Sequence, residues 1–100
     1  MAIRGLRDLS NLSLGQLYAV YVGVAQADWN WRCRAAHGTA VPPPGRSGFR
    51  PLPFAVFEHR VQAARAMAHG DRTLRNRLAR QAAAYRVDVE ALIAQTAQAA

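Results

Sequence analysis

The sequence predicts an all-α protein. The expected architecture is a small antiparallel bundle of three helices, at about 13–36, 53–69 and 72–98, with a Pro/Gly-rich loop at 38–52. Three observations carry that reading. About a fifth of the 100 residues are Ala, the best helix former. β-Branched residues are sparse outside two short runs. Apolar residues recur at the helical period in three separate stretches. One hundred residues make one domain, and with 51% hydrophobic types diluted by Ala its core is thin. A thin core makes a protein partner or self-association, such as a homodimer, a natural complement.

Residues 1–12 form an N-terminal arm. Leu6, Leu9 and Leu12 lie three apart, which suits a short turn folded back on the core. Ser13 and Gln16 have the S-x-x-Q spacing of a capping box, with Leu12 and Leu17 placed as a hydrophobic staple. Leu14, Leu17, Tyr18, Tyr21, Val22, Val24, Ala25 and Trp29 then fall on one arc of a long helix. Gln16, Gly23, Gln26, Asn30 and Arg34 fall opposite. Gly38 is placed to end the helix in a left-handed conformation.

Pro42 to Pro44 lack backbone donors, and Pro51 and Pro53 keep the chain extended into the next helix. Pro53 suits a first helical position. Phe54, Phe57, Val61, Ala64 and Ala68 mark the inner face of the second helix, with Gly70 as its end and Asp71 as the cap of the next. In the last stretch Leu74, Leu78, Tyr85, Val89, Leu92 and Ile93 share one stripe. The phase does not slip across Val87-Asp88, which favours one unbroken helix. A rival reading breaks the chain there into a helix-turn-helix. The expected core comprises Leu14, Leu17, Tyr21, Val24, Phe54, Phe57, Val61, Leu74, Leu78, Tyr85 and Leu92.

The formal net charge is +7, and all 13 basic residues are Arg. A balance of this size favours anionic partners, and Arg grips carboxylate and phosphate through a planar fork. Arg-only usage points to a GC-rich, bacterial coding sequence. Between Glu58 and Arg86 stand Arg60, Arg65, Arg72, Arg75, Arg77, Arg80 and Arg86. Arg65, Arg72, Arg75, Arg80 and Arg86 fall on a broad flank beside the apolar stripe. Such a set can solubilise the protein, grip carboxylates on a partner, or span phosphates. The leading expectation is a non-enzymatic interaction or regulatory protein that docks on an acidic protein surface. Arg65, Arg72, Arg75, Arg77, Arg80 and Arg86 would form the contact, with Trp31, Arg46 and Arg50 beside them. The alternative is a nucleic-acid-binding regulator, for which residues 78–93 loosely follow a helix-turn-helix pattern. Against it, Arg86 sits where such a turn wants Gly or Asn, and no Arg follows Asp88 on the reading helix.

Other chemistry has little support in the residues. Cys33 and His37 stand one helical turn apart, but no third ligand or orienting acid lies nearby, so no metal, cofactor or catalytic site is expected. The P-loop, dinucleotide-binding, HExxH and GxSxG patterns are missing. Val41 occupies the first proline site of what would otherwise be a PxxPxR ligand, so the loop reads as a stiff connector. One cysteine allows no internal disulfide and fits a reducing compartment. Arg4 and Arg7, an apolar run to Val24 and Ala25-Gln26-Ala27 imitate a secretory signal with its cleavage site. Asp8, Ser10, Asn11, Ser13 and Gln16 argue against it, so a cytoplasmic location is expected. No membrane span is expected, since Gln16 and Gln26 bracket an apolar run far short of the ~20 residues a bilayer requires.

Overall fold

The computed structural model describes residues 6–39 and 48–98. They form an all-α bundle of four helices: α1 (Leu14–His37), α2 (Phe54–Arg65), α3 (Gly70–Ala84) and α4 (Val89–Gln98). The expectation of three helices is corrected at its third member, which is two helices joined by a tight turn. No helix among the described residues is long and apolar enough to cross a membrane.

The long first helix begins and ends as its residues dictate. Ser13 Oγ accepts from Gln16 N–H at 3.2 Å, and Gln16 Oε1 accepts from Ser13 N–H at 2.9 Å, which closes the capping box. Gly38 stops the helix at φ 75°, with its N–H donating to the Arg34 carbonyl at 2.9 Å. α1 is the axis of the bundle. α4 packs along it, and α3 and α2 also rest on it, with α2 packed on α3.

Two sides of α1 are therefore covered. The predicted arc supplies Leu17 and Val24 to the core, and Val20, which the arc did not include, joins them. Gly23, which falls on the opposite side, lies against Leu92 of α4. A Cβ on Gly23 would stand 2.6 Å from Leu92 Cδ1. Gln26 and Asn30, on the same flank, hydrogen-bond each other at 2.9 Å and are half-buried.

α2 ends at Arg65, earlier than the expected 69. The chain turns through Ala66–His69, with Met67 N–H donating to Ala64 O and Gly70 N–H to Met67 O, each at 3.0 Å. His69 takes a left-handed φ of 60°. Gly70 opens α3 instead of closing α2, and it has no room for a side chain, since a Cβ there would lie 2.1 Å from the Ala64 carbonyl oxygen. Asp71 does not cap α3 by a side-chain bond. It lies in the first turn, where a carboxylate meets the positive end of the helix dipole.

The break after α3 is a Schellman motif. Val87 N–H donates to Ala82 O at 2.8 Å and Arg86 N–H to Ala83 O at 3.2 Å. Arg86 holds the left-handed position at φ 56°. Asp88 then caps α4, its Oδ1 accepting from Ala91 N–H at 3.1 Å. Each half of the turn satisfies helix-end groups that an unbroken helix would have bonded internally, so the break costs few hydrogen bonds. The apolar stripe continues across it because Val89, Leu92 and Ile93 are carried to α1 by the turn, not by helical phase.

The core comprises Leu9, Leu12, Leu17, Val20, Val24, Phe57, Val61, Leu78, Ala79, Ala82 and Val89. Leu14, Tyr18, Tyr21, Leu74, Tyr85 and Ile93 pack against it, half-buried. Phe54, expected inside, is 42% exposed and meets Tyr18 edge-on at 5.2 Å. The N-terminal arm, by contrast, belongs to the interior through Leu9 and Leu12.

Candidate docking surface

The arginines sort into three groups once their partners are counted. The first is structural. Arg75, expected on the outer flank, is 6% exposed. Its Nη1 donates to the carbonyls of Leu9 at 2.7 Å and Leu12 at 2.9 Å, and its Nε to Asp71 at 3.2 Å. It ties the arm to α3 and is spent inside the fold.

The second group is exposed but engaged. Arg65 Nε lies 3.8 Å from Asp71, and Arg72 Nη2 lies 3.0 Å from His69 Nδ1. Arg32 pairs with Asp28 at 2.9 Å, one turn away on α1, as its spacing predicts. Arg7 pairs with Glu90, joining the arm to α4.

The third group is exposed and, among the described residues, without an ion pair. On α2 and α3 it consists of Arg60, Arg77 and Arg80, with Arg34, Arg50 and Arg86 elsewhere. On α3 the apolar face is Leu74, Leu78 and Ala82, and the 100° step between residues puts Arg72, Arg80 and Arg77 across the opposite half. On α2 the same step puts Arg60 at the edge of the face formed by Phe57, Val61 and Ala64. Arg46 lies outside the described residues. Trp31 is 61% exposed.

Arg60 and Arg77 stand at the rim of one cleft, of about 260 Å³. Tyr21, Leu52, Phe57, Leu74 and Leu78 line its apolar part, and Gln81 also lines it. The position of Leu52 is set by two tyrosines of α1. Tyr18 Oη donates to the Leu52 carbonyl at 2.7 Å, and Leu52 N–H donates to Tyr21 Oη at 3.0 Å. The rings of Tyr18, Tyr21 and Phe57 cluster with centroids 5.1–5.9 Å apart, Tyr21 stacked on Phe57 and Tyr18 edge-on to Phe57. A second cleft of about 330 Å³ adjoins the first, sharing Tyr21 and Gln81. It holds Asp28, Arg32 and Tyr85, so its charges balance. Tyr85 Oη donates to Asp28, and that bond raises the tyrosine pKa above its ordinary 10.0, with burial adding to the effect.

The residue spacing alone did not reveal the cleft. Arg60 stood in the basic stretch but off the favoured flank, and Tyr21 and Leu52 are brought together across the proline loop. The helix-turn-helix stretch does form as two helices, yet its second helix is a poor groove reader. α4 packs on α1, bears Glu90 paired to Arg7, and has no Arg.

Cys33 is buried and His37 exposed, and no group of three or more metal-binding side chains occurs among the described residues. No family model, no curated protein and no solved structure matches the chain.

Proposed function

We propose that this protein is a non-enzymatic docking module that binds an acidic surface of a partner protein. The contact runs over the outward half of α3 and the adjoining edge of α2, through Arg72, Arg77, Arg80 and Arg60. One observation carries the reading. Arg60, Arg77 and Arg80 are exposed guanidinium groups on adjacent rigid helices, with no ion pair among the described residues, and two of them line an apolar cleft. A cation of this kind keeps its full capacity for a bidentate carboxylate, whereas Arg65 and Arg75 already share Asp71. Arg75 is dropped from the proposed contact because its guanidinium is turned inward.

The test uses the full chain and a variant carrying Arg72→Glu, Arg77→Glu and Arg80→Glu. Arg75 is left intact so that the fold is preserved. Polyglutamate should bind the wild type in low salt and lose affinity in the variant by about tenfold or more, since like charges then face each other across the contact. Unchanged polyglutamate binding in the variant removes this face. Tighter binding to duplex DNA or to RNA than to polyglutamate, with a steep loss as salt rises, promotes the nucleic-acid reading in its place.

A further inference from the structure

The cleft lined by Arg60 and Arg77 narrows the partner. Its volume, about 260 Å³, falls below the ~300–1,000 Å³ of a small-molecule site. It is open at the mouth and apolar within, a shape suited to one bulky side chain presented by another chain. Interfaces concentrate their binding energy in anchors of this kind, seated in a desolvated pocket and ringed by polar contacts. The Tyr21 hydroxyl accepts from Leu52 N–H and keeps its own O–H as a donor.

The rim decides which chain. Arg60 and Arg77 both line the cleft, and no carboxylate does. A second copy of this protein brings a further +7 charge, which opposes self-docking. The stretches outside the described residues contribute Arg4 and Arg46 and no acidic side chain, so they do not complement the rim either.

We propose that the cleft receives a short acidic segment of a partner protein, with one Leu or Phe seated on Tyr21, Phe57 and Leu74 and flanking carboxylates gripped by Arg60 and Arg77. This rests on the acidic-partner reading above and adds the recognition element to it. Arg80 and Arg72 contribute general attraction, whereas the cleft contributes selectivity for an apolar residue among acids.

Fluorescence anisotropy tests it with three labelled short peptides. One is Glu-rich around a central Leu-Phe pair, the second replaces that pair with Ala-Ala, and the third keeps Leu-Phe but replaces every Glu with Gln. Each is titrated with wild type, with an Arg60→Glu/Arg77→Glu variant, with Arg80→Glu, and with Gln81→Trp. Gln81 is exposed at the cleft, so a Trp there should fill it without disturbing the core. Circular dichroism melts verify folding of each variant. The first peptide should bind wild type about tenfold more tightly than either control. The double Glu variant should lose about tenfold, and Gln81→Trp should weaken the first peptide while leaving the Ala-Ala peptide unchanged. Equal binding of the Leu-Phe and Ala-Ala acidic peptides, weakened by Arg80→Glu, overturns the cleft and leaves the cationic face standing. Failure of both acidic peptides to bind wild type at low salt overturns the two together.

Discussion

Arg75→Met tests the interior of the fold most directly. Methionine keeps much of the aliphatic stem and removes the guanidinium. Two short bonds are lost, to the carbonyls of Leu9 at 2.7 Å and Leu12 at 2.9 Å, together with the contact to Asp71. Bonds made by a charged donor contribute about 1.5–3 kcal/mol each. The Asp71 side chain is 35% exposed and keeps Arg65 beside it, so loss of that pair adds only about 0–1 kcal/mol. The bonds and the pair overlap, so the expected loss is about 3–4 kcal/mol. A chain of this length has about 5–15 kcal/mol in total. Each kcal/mol moves the melting temperature of such a domain by about 4–8 °C, so Tm should fall by about 12–30 °C. Thermal melts followed by circular dichroism read this, with Arg80→Met as an exposed control expected to stay within about 0.5 kcal/mol. The arm should also become the first site of proteolysis, because Arg75 is what ties its carbonyls to α3. Arg75→Lys keeps the charge but loses the fork, and should fall between wild type and Met. A Tm for Arg75→Met within a few degrees of wild type would show that the arm is held without Arg75, by Leu9 and Leu12 packing and the Arg7–Glu90 pair, and the reasoning fails.

Three further predictions follow from the turns and helix contacts. Gly70→Ala should destabilise by about 1–3 kcal/mol in urea melts, because its Cβ would meet the rigid Ala64 carbonyl at 2.1 Å; Gly15→Ala, with nothing within 4 Å, should stabilise by about 0.5 kcal/mol, and a reversed order would refute the close approach. Arg86→Gly should raise stability by about 0.5–1 kcal/mol, since a left-handed φ of 56° strains any residue with a Cβ, and a loss of stability would show that the arginine side chain outweighs its backbone strain. Tyr85 has a raised folded-state pKa, so its bond to Asp28 contributes stability that is fully present below the ordinary value of 10.0 and is lost as pH rises through the raised one. Stability against pH should therefore fall on the alkaline side in wild type and less in Tyr85→Phe; identical alkaline limbs would remove the bond from the account.

Asp8 works in the opposite direction at low pH. Hydrogen bonds from the Ser10 backbone and hydroxyl hold its carboxyl below the ordinary 3.8. Its contribution is present above that value and fades as pH falls through the lowered one.

The parts of this fold legible in the chain are those set by neighbours in sequence. Ser13 and Gln16 lie three residues apart and close a capping box whatever surrounds them. Gly38 ends α1, and Asp28 and Arg32 pair across one turn, for the same local reason. The inward face of α1 at Leu17 and Val24, and of α2 at Phe57 and Val61, follows from period alone. The break at Tyr85–Asp88 was not legible in this way. The cue there was the residue type at 86, and Arg is disfavoured in the left-handed region by about 1–2 kcal/mol. That cost is met because the turn brings Val89, Leu92 and Ile93 onto α1, a gain that exists only when α1 is already in place.

The candidate site divides along the same line. Composition and period determined that arginines line α2 and α3 and that most of them face outward. They could not determine that Arg75 turns in, because that depends on the Leu9 and Leu12 carbonyls, more than sixty residues away in the chain. Nor could they bring Arg60 and Arg77 to one cleft with Tyr21 and Leu52. The sequence by itself determined which residues are apolar, where helices start, and how much positive charge the surface must carry, since those are properties of single residues and short spacings. Only tertiary structure decided which cations remain unpaired and what lies between them, because desolvation and pairing are set by groups that meet only when the helices pack.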